Sequence, residues 1–133
     1  MMTEQRGSSR LEENRGQTPP PSGRTEAFWG RLTDRLDDWL AIEPDGTVTA
    51  FSGKVELGTG VRTALAQIVA EELDVPFERV RMVMGDTART PNEGYTAGSM
   101  TIHTSGAALR QAAAEAHRAL LAMAAERLDA APP

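Results

Sequence analysis

The stretch Gly53-Lys-Val-Glu-Leu-Gly-Thr-Gly-Val-Arg-Thr-Ala64 decides how this chain folds. Its glycines lead straight into a segment where Val61, Ala64, Leu65, Ile68, Val69 and Leu73 recur at helical spacing, with Arg62, Thr63, Gln67 and Glu71 opposite. Glycine permits positive-φ turns and leaves the backbone open to close approach. The first turn of the helix then offers unpaired N–H groups and the positive end of its dipole. Such a loop either connects two elements or brings the backbone up to a polar group of a ligand.

Two phosphate-binding patterns fail here. Gly53 and Gly58 have the glycine spacing of a P-loop, but Thr59-Gly60 follows where a lysine and a hydroxyl residue are needed, and Lys54 is on the wrong side of the loop. The dinucleotide pattern GxGxxG fails because Gly58-Thr59-Gly60 continues into Val61, Arg62 and Thr63.

Outward from this loop, the hydrophobic pattern gives the other elements. Trp39–Ile42 and Thr47–Phe51 read as short strands joined at Pro44-Asp45-Gly46, a hairpin signal. The helix that starts near Val61 ends at Asp74-Val75-Pro76-Phe77, because proline disfavours a helical residue before it. Val80–Met84 is a third strand, and Gly85-Asp86 opens a long loop. From about Gly98 to Leu128 an alanine-rich helix is expected, its alanines packing closely on a sheet or another domain. Ser105 and Gly106 weaken that helix, the glycine by about 1 kcal/mol, and close approach to another backbone or a ligand is the expected reason. The order β-β-α-β-α predicts an α+β domain, two helices packed on a short sheet, over residues 34–133. Residues 1–33, rich in Arg, Glu, Gly, Ser and Pro with Pro19-Pro20-Pro21 at their centre, read as a disordered tail.

Composition narrows the function. The net charge is −5, with no visible basic face for a nucleic-acid backbone. No apolar run has the length of a secretory signal or of a membrane span, which predicts a cytoplasmic protein without a membrane partner. With no cysteine, the chain cannot hold an iron–sulfur cluster through thiolates, and electrons of any redox reaction must leave through another polypeptide. His103 and His117 are separated by about 21 Å of helical rise, so they cannot share a metal ion. Glu56, Asp86 and Glu93 lie in the glycine loops, where a solvated or capping role is expected in preference to acid–base chemistry.

The second glycine-rich stretch is Thr90-Pro-Asn-Glu-Gly-Tyr-Thr-Ala-Gly-Ser-Met-Thr-Ile-His-Thr-Ser-Gly106. Taken in order with the first loop, its helix and Glu71-Glu-Leu-Asp-Val-Pro-Phe-Glu-Arg-Val-Arg-Met-Val-Met-Gly-Asp-Thr87, it resembles a segment of the large subunit of molybdenum hydroxylases, the xanthine dehydrogenase and aldehyde oxidase family. The likeness runs over roughly Asp38 to Leu128. It is nearest to the bacterial large subunits of the isoquinoline 1-oxidoreductase and nicotinate dehydrogenase type. In that family the segment is one of several that enclose molybdopterin, often as its cytosine dinucleotide.

The resemblance implies cofactor-binding roles for Gly58, Thr59, Gly60, Ser99, Met100 and Thr101. Gly58-Thr59-Gly60 matches the family's Gly-Gln-Gly turn, whose glutamine hydrogen-bonds the cofactor. Ser99, Met100 and Thr101 match a Ser-x-Ser run at a helix start that contacts the pterin or its phosphates. Thr59 departs from glutamine, and its hydroxyl reaches less far than a carboxamide. The resemblance further implies a role in an oxidoreductase that hydroxylates aldehydes or N-heteroaromatics with oxygen from water. Its implied partners are the remaining part of the large subunit and a small 2Fe-2S subunit. The family's catalytic base is a glutamate near the C-terminus of a much longer subunit, and nothing here matches its surroundings. The chain is therefore expected to be a cofactor-binding piece without catalytic or metal-ligating residues of its own, inactive in isolation. The rival readings are a non-catalytic interaction module or truncated remnant that keeps the fold without cofactor, and a small independent enzyme using Glu56 or Glu93 as base.

Overall fold

The computed structural model describes residues 35–131. The expected tail, residues 1–33, lies outside the described residues. A 3-10 turn, Leu36–Asp38, leads into β1 (Leu40–Ile42), and β2 (Val48–Ser52), α1 (Val61–Leu73), β3 (Val80–Met84) and α2 (Ala107–Leu128) follow. This is the α+β order that the hydrophobic pattern predicts.

The hairpin turns where Pro44-Asp45-Gly46 places it. Gly46 takes φ +80°, the Gly46 N–H donates to the Glu43 carbonyl, and Asp45 Oδ1 accepts from the Thr47 N–H at 2.8 Å. The sheet has the order β1-β2-β3. β1 pairs antiparallel with β2, Leu40 facing Ala50, and β2 pairs parallel with β3, Ser52 facing Met84. A parallel pair needs a crossover, which α1 supplies. Because β2 and β3 run the same way, the loops that follow them leave the same edge of the sheet.

Alternation along β2 puts Val48, Ala50 and Ser52 on the buried face. Val48 and Ala50 meet Leu65, Val69 and Leu73 of α1 and Leu109, Ala112, Ala113 and Ala116 of α2, with Trp39 and Leu40 closing the cluster. Leu65, Val69 and Leu109 are wholly buried, and each contributes about 1.5–3 kcal/mol on leaving water. The alanines of α2 that join this cluster, Ala112, Ala113 and Ala116, lie in its first half. Beyond Ala116, Leu120, Leu121, Met123 and Leu128 are exposed, while Ala125 is buried.

Both helices stop on an aspartate rather than a glycine. Asp74 and Asp129 take the left-handed conformation, φ 53° and 50°. The next N–H then reaches back five residues, Val75 to the Ala70 carbonyl and Ala130 to the Ala125 carbonyl.

The start of the second helix differs from expectation. The chain is not helical at Gly98, since Gly98 and Ser99 both have positive φ, 65° and 55°. Helix begins at Thr101 and passes through a π-turn, Ile102–Gly106, before α2 proper. The buried residues of this widened turn are Ser105 and Gly106. A Cβ on Gly106 would lie 3.2 Å from Ile68 Cδ1 and 3.7 Å from Leu65 Cδ2. The close approach at this glycine is therefore to side chains, chiefly of α1, and not to another backbone as expected.

Candidate functional site

Two loops meet at the sheet edge beyond the C-terminal ends of β2 and β3. The Gly85 N–H donates to the Ser52 carbonyl at 3.0 Å, continuing the pairing by one residue. Gly53 is close enough to the second loop that a Cβ there would lie 2.2 Å from the Pro91 carbonyl oxygen. The Val55 N–H donates to Thr96 Oγ1 at 2.9 Å. Residues 53–55 at the start of the first loop thus lie against residues 91–96 of the second, at the edge where β2 and β3 both end.

Glu56 organises the first loop. Its Oε1 accepts from the Thr59 N–H at 2.6 Å and the Gly60 N–H at 3.1 Å, and its Oε2 from the Arg62 N–H at 3.0 Å. The Arg62 N–H chiefly, with those of Gly60, Thr59 and Gly58, lowers the Glu56 carboxyl to about 2 from an ordinary 4.5, against an opposing effect of desolvation. This is the capping role expected of Glu56. At the start of α1 the N–H groups of Gly60 and Arg62 are thereby occupied by the chain's own carboxylate. Gly58 and Gly60 hold φ +85° and +77°, and nothing lies within 4 Å of a Cβ built on either. Thr59 between them is exposed.

The second loop carries Ser99, Met100 and Thr101. Ser99 is exposed, Met100 half-buried and Thr101 only 6% exposed. Asp86 shapes the beginning of this loop, its Oδ1 accepting from the Ala88 N–H and its carbonyl from the Thr90 N–H.

Glu93 corrects the expectation of a solvated or capping carboxylate. It is 2% exposed and lies between the sheet and the π-turn. Its Oε2 accepts from Ser52 Oγ at 2.7 Å and the Gly53 N–H at 2.6 Å, while Oε1 accepts from Ser105 Oγ. Lys54, 3% exposed, donates from Nζ to the Glu93 carbonyl at 2.6 Å and the Tyr95 carbonyl at 2.7 Å. A carboxylate in such a place is costly unless its acceptor positions are filled. Here the three donors come from the end of β2, the first loop and the helix start. The sequence marks neither Ser52 nor this role of Lys54, which it offers only as a misplaced P-loop lysine, and it gives Ser105 no polar partner. These contacts are long-range in sequence, and no periodicity marks them.

Elsewhere the surface offers an open groove between the outer sides of the two helices, lined by Ile68, Val75, Phe77, Ile102, His103 and Arg110 among others. None of the six cofactor-binding candidates lines it. Arg110 pairs with Glu72 across the helices. Among the described residues, no group of three or more His, Cys, Asp or Glu could hold a metal ion. No helix among them is long and apolar enough to cross a membrane.

The family model for the molybdopterin cofactor-binding domain matches residues 22–133. The chain belongs to this family. A nicotinate dehydrogenase chain of Pseudomonas putida is 50% identical over 116 residues, which are 86% of this chain and 10% of that protein. The carbon monoxide dehydrogenase large chain of Hydrogenophaga pseudoflava is 36% identical over 90 residues, 68% of this chain and 11% of that one. Among solved structures, reconstituted CO dehydrogenase from Oligotropha carboxidovorans superposes with a TM-score of 0.67 at 33% identity, covering 70% of this chain and 12% of that chain. The molybdopterin-binding domain therefore spans about a tenth of the length of these curated relatives.

Proposed function

We propose that the domain forms one wall of a molybdopterin pocket in a molybdenum hydroxylase, with Gly58, Thr59, Gly60, Ser99, Met100 and Thr101 as its contact residues. The observation that carries this reading is the meeting of the two loops at one sheet edge, together with the open, left-handed glycines at 58 and 60. Only a residue without Cβ holds those φ values cheaply, and the space beyond it admits a ligand to the backbone.

Glu56 limits how the first loop can bind. The amides of Thr59, Gly60 and Arg62 are already bonded to its carboxylate. A phosphate at this helix start would have to displace Glu56, which also accepts from the Thr59 hydroxyl at 3.4 Å, so contact from pterin N–H groups to the Gly58 carbonyl and the Thr59 hydroxyl oxygen fits the geometry better. From the second loop, the exposed Ser99 hydroxyl can donate directly. Thr101, with its side chain buried, is better placed to contribute backbone than hydroxyl. When bound, the pterin holds molybdenum through its own sulfurs and supplies the redox chemistry. The residues of this chain bind and orient it.

The whole enzyme in this reading is a cytoplasmic oxidoreductase that hydroxylates aldehydes or N-heteroaromatics with oxygen from water. It comprises the remaining part of the large subunit, which provides the catalytic base, and a small 2Fe-2S subunit. The cofactor is taken to be the cytosine dinucleotide form. A second reading, a non-catalytic module that keeps the fold, is favoured by one observation: the Gly60 and Arg62 amides at the helix start are bonded to Glu56.

Turnover assays separate the readings. The chain alone and the chain produced with the remaining large-subunit part and the 2Fe-2S subunit are given aldehydes and N-heterocycles with an electron acceptor. Molybdenum-dependent turnover by the assembly alone is expected. Turnover by the isolated chain, or an assembly that forms without molybdenum and pterin, would contradict the proposal.

A further inference from the structure

We propose that Glu93, with Lys54 beside it, is the positioning residue that locks the 53–60 loop and the 94–101 segment into one preassembled surface. The inference rests on the cofactor-binding reading for its purpose, but the latch itself can be tested without cofactor.

The core of the domain is otherwise built from leucine, valine and alanine with Trp39. Into this setting the chain places a buried carboxylate and a buried ammonium, with Ser52 and Ser105 wholly buried beside the carboxylate. An apolar side chain of similar volume is often neutral or better for stability than a buried ion, so stability alone does not explain the choice. What a carboxylate adds is direction. Its two oxygens accept from Ser52 Oγ, the Gly53 N–H and Ser105 Oγ. These donors fix the start of the first loop and the turn immediately after Thr101.

Lys54 acts from the other side. Its Nζ draws in the carbonyls of Glu93 and Tyr95, while the next N–H, that of Val55, bonds Thr96 Oγ1. Four successive residues, 52 to 55, are therefore tied to the segment 93–105 through side chain or backbone. The segment between those ties carries Ser99, Met100 and Thr101. Ligand contacts are most effective when their own orientation is set by such a supporting shell.

Amide hydrogen exchange on the full chain tests the latch, using Glu93→Gln, Glu93→Leu, Glu93→Ala and Lys54→Met. Glutamine keeps one acceptor for Gly53 and Ser52 and can donate to Ser105 Oγ, so exchange should stay within about threefold of the parent protein. Leucine fills the space but accepts nothing. Leucine and alanine should both speed exchange at least about tenfold in 53–60 and 94–101 together, with α1 and the first half of α2 still protected. Lys54→Met should release the same two segments.

Rescue by leucine would overturn the latch by showing that Glu93 only fills space. So would release of one segment without the other, or failure of glutamine to rescue. Pterin retention in the assembled enzyme is measured alongside. Loss of retention in the leucine variant supports latch and pocket together. Coupled loosening with retention unchanged supports the latch and refutes the pocket reading.

Discussion

Adding one methyl group at Gly53 tests whether the two loops share a site. A Cβ at this position would lie 2.2 Å from the Pro91 carbonyl oxygen, 3.1 Å from the Glu93 nitrogen and 3.4 Å from Glu93 Cβ. Two of those neighbours are backbone, so the loops must part by roughly 1 Å to reach ordinary contact at about 3.4 Å. Overpacking of this kind costs about 1–3 kcal/mol. Parting the loops also strains the 2.6 Å bond from the Gly53 N–H to Glu93, and a hydrogen bond to a charged group is worth about 1.5–3 kcal/mol. Together Gly53→Ala should destabilise the domain by about 3 kcal/mol or more. At roughly 4–8 °C per kcal/mol for a domain of this size, Tm should fall by at least about 12 °C. Circular dichroism melts of Gly53→Ala and Gly60→Ala provide the comparison. At Gly60 nothing lies within 4 Å of the added atom, and only the left-handed backbone costs, about 1–2 kcal/mol. If Gly53→Ala melts like the parent protein, or no lower than Gly60→Ala, the loops are not packed as described.

Other outcomes follow from the same geometry. Glu56 is held at about 2 in the folded chain against an ordinary 4.5, so its stabilising contribution is full above pH 4.5 and fades as pH falls towards 2. Glu56→Gln should therefore be less stable than the parent protein at pH 7, with the difference shrinking between pH 4.5 and 2; a difference that does not change with pH would refute the cap. Leu109→Ala, at a wholly buried position between helix and sheet, should cost about 2–5 kcal/mol in urea unfolding, and a cost under 1 kcal/mol would show that α2 does not pack there.

The elements carried by local pattern were readable before the structure. Helical spacing from Val61 to Leu73, the turn at Pro44-Asp45-Gly46 and the apolar run Val80–Met84 depend on near neighbours in sequence, and each forms where that pattern puts it. The parallel β2–β3 pair then accounts for the loops leaving one edge. Glu93 was not readable in this way. Its partners lie 41 and 40 residues before it and 12 after it, and a carboxylate between Asn92 and Gly94 looks like any solvated loop residue. The helix start departs from the sequence expectation for a related reason. Alanine-rich sequence favours helix, but the left-handed Gly98 and Ser99 delay it to Thr101, and the π-turn holds Ser105 against Glu93. Glu56 could be expected to cap, yet its bonding to the Thr59, Gly60 and Arg62 amides depends on the path of the loop.

The central claim is that Gly58–Gly60 and Ser99–Thr101 face one pterin, and the most direct measurement is pterin and molybdenum content per assembled enzyme. The parent protein is compared with Gly60→Val, which blocks approach to the backbone, with Thr59→Ala plus Ser99→Ala, which removes two exposed hydroxyls, and with Leu128→Ala far along α2 as a control. The account predicts assembly in every case, with full pterin and molybdenum in the control and a clear loss of both in the two loop variants. Full cofactor content in both loop variants, with assembly intact, would contradict it.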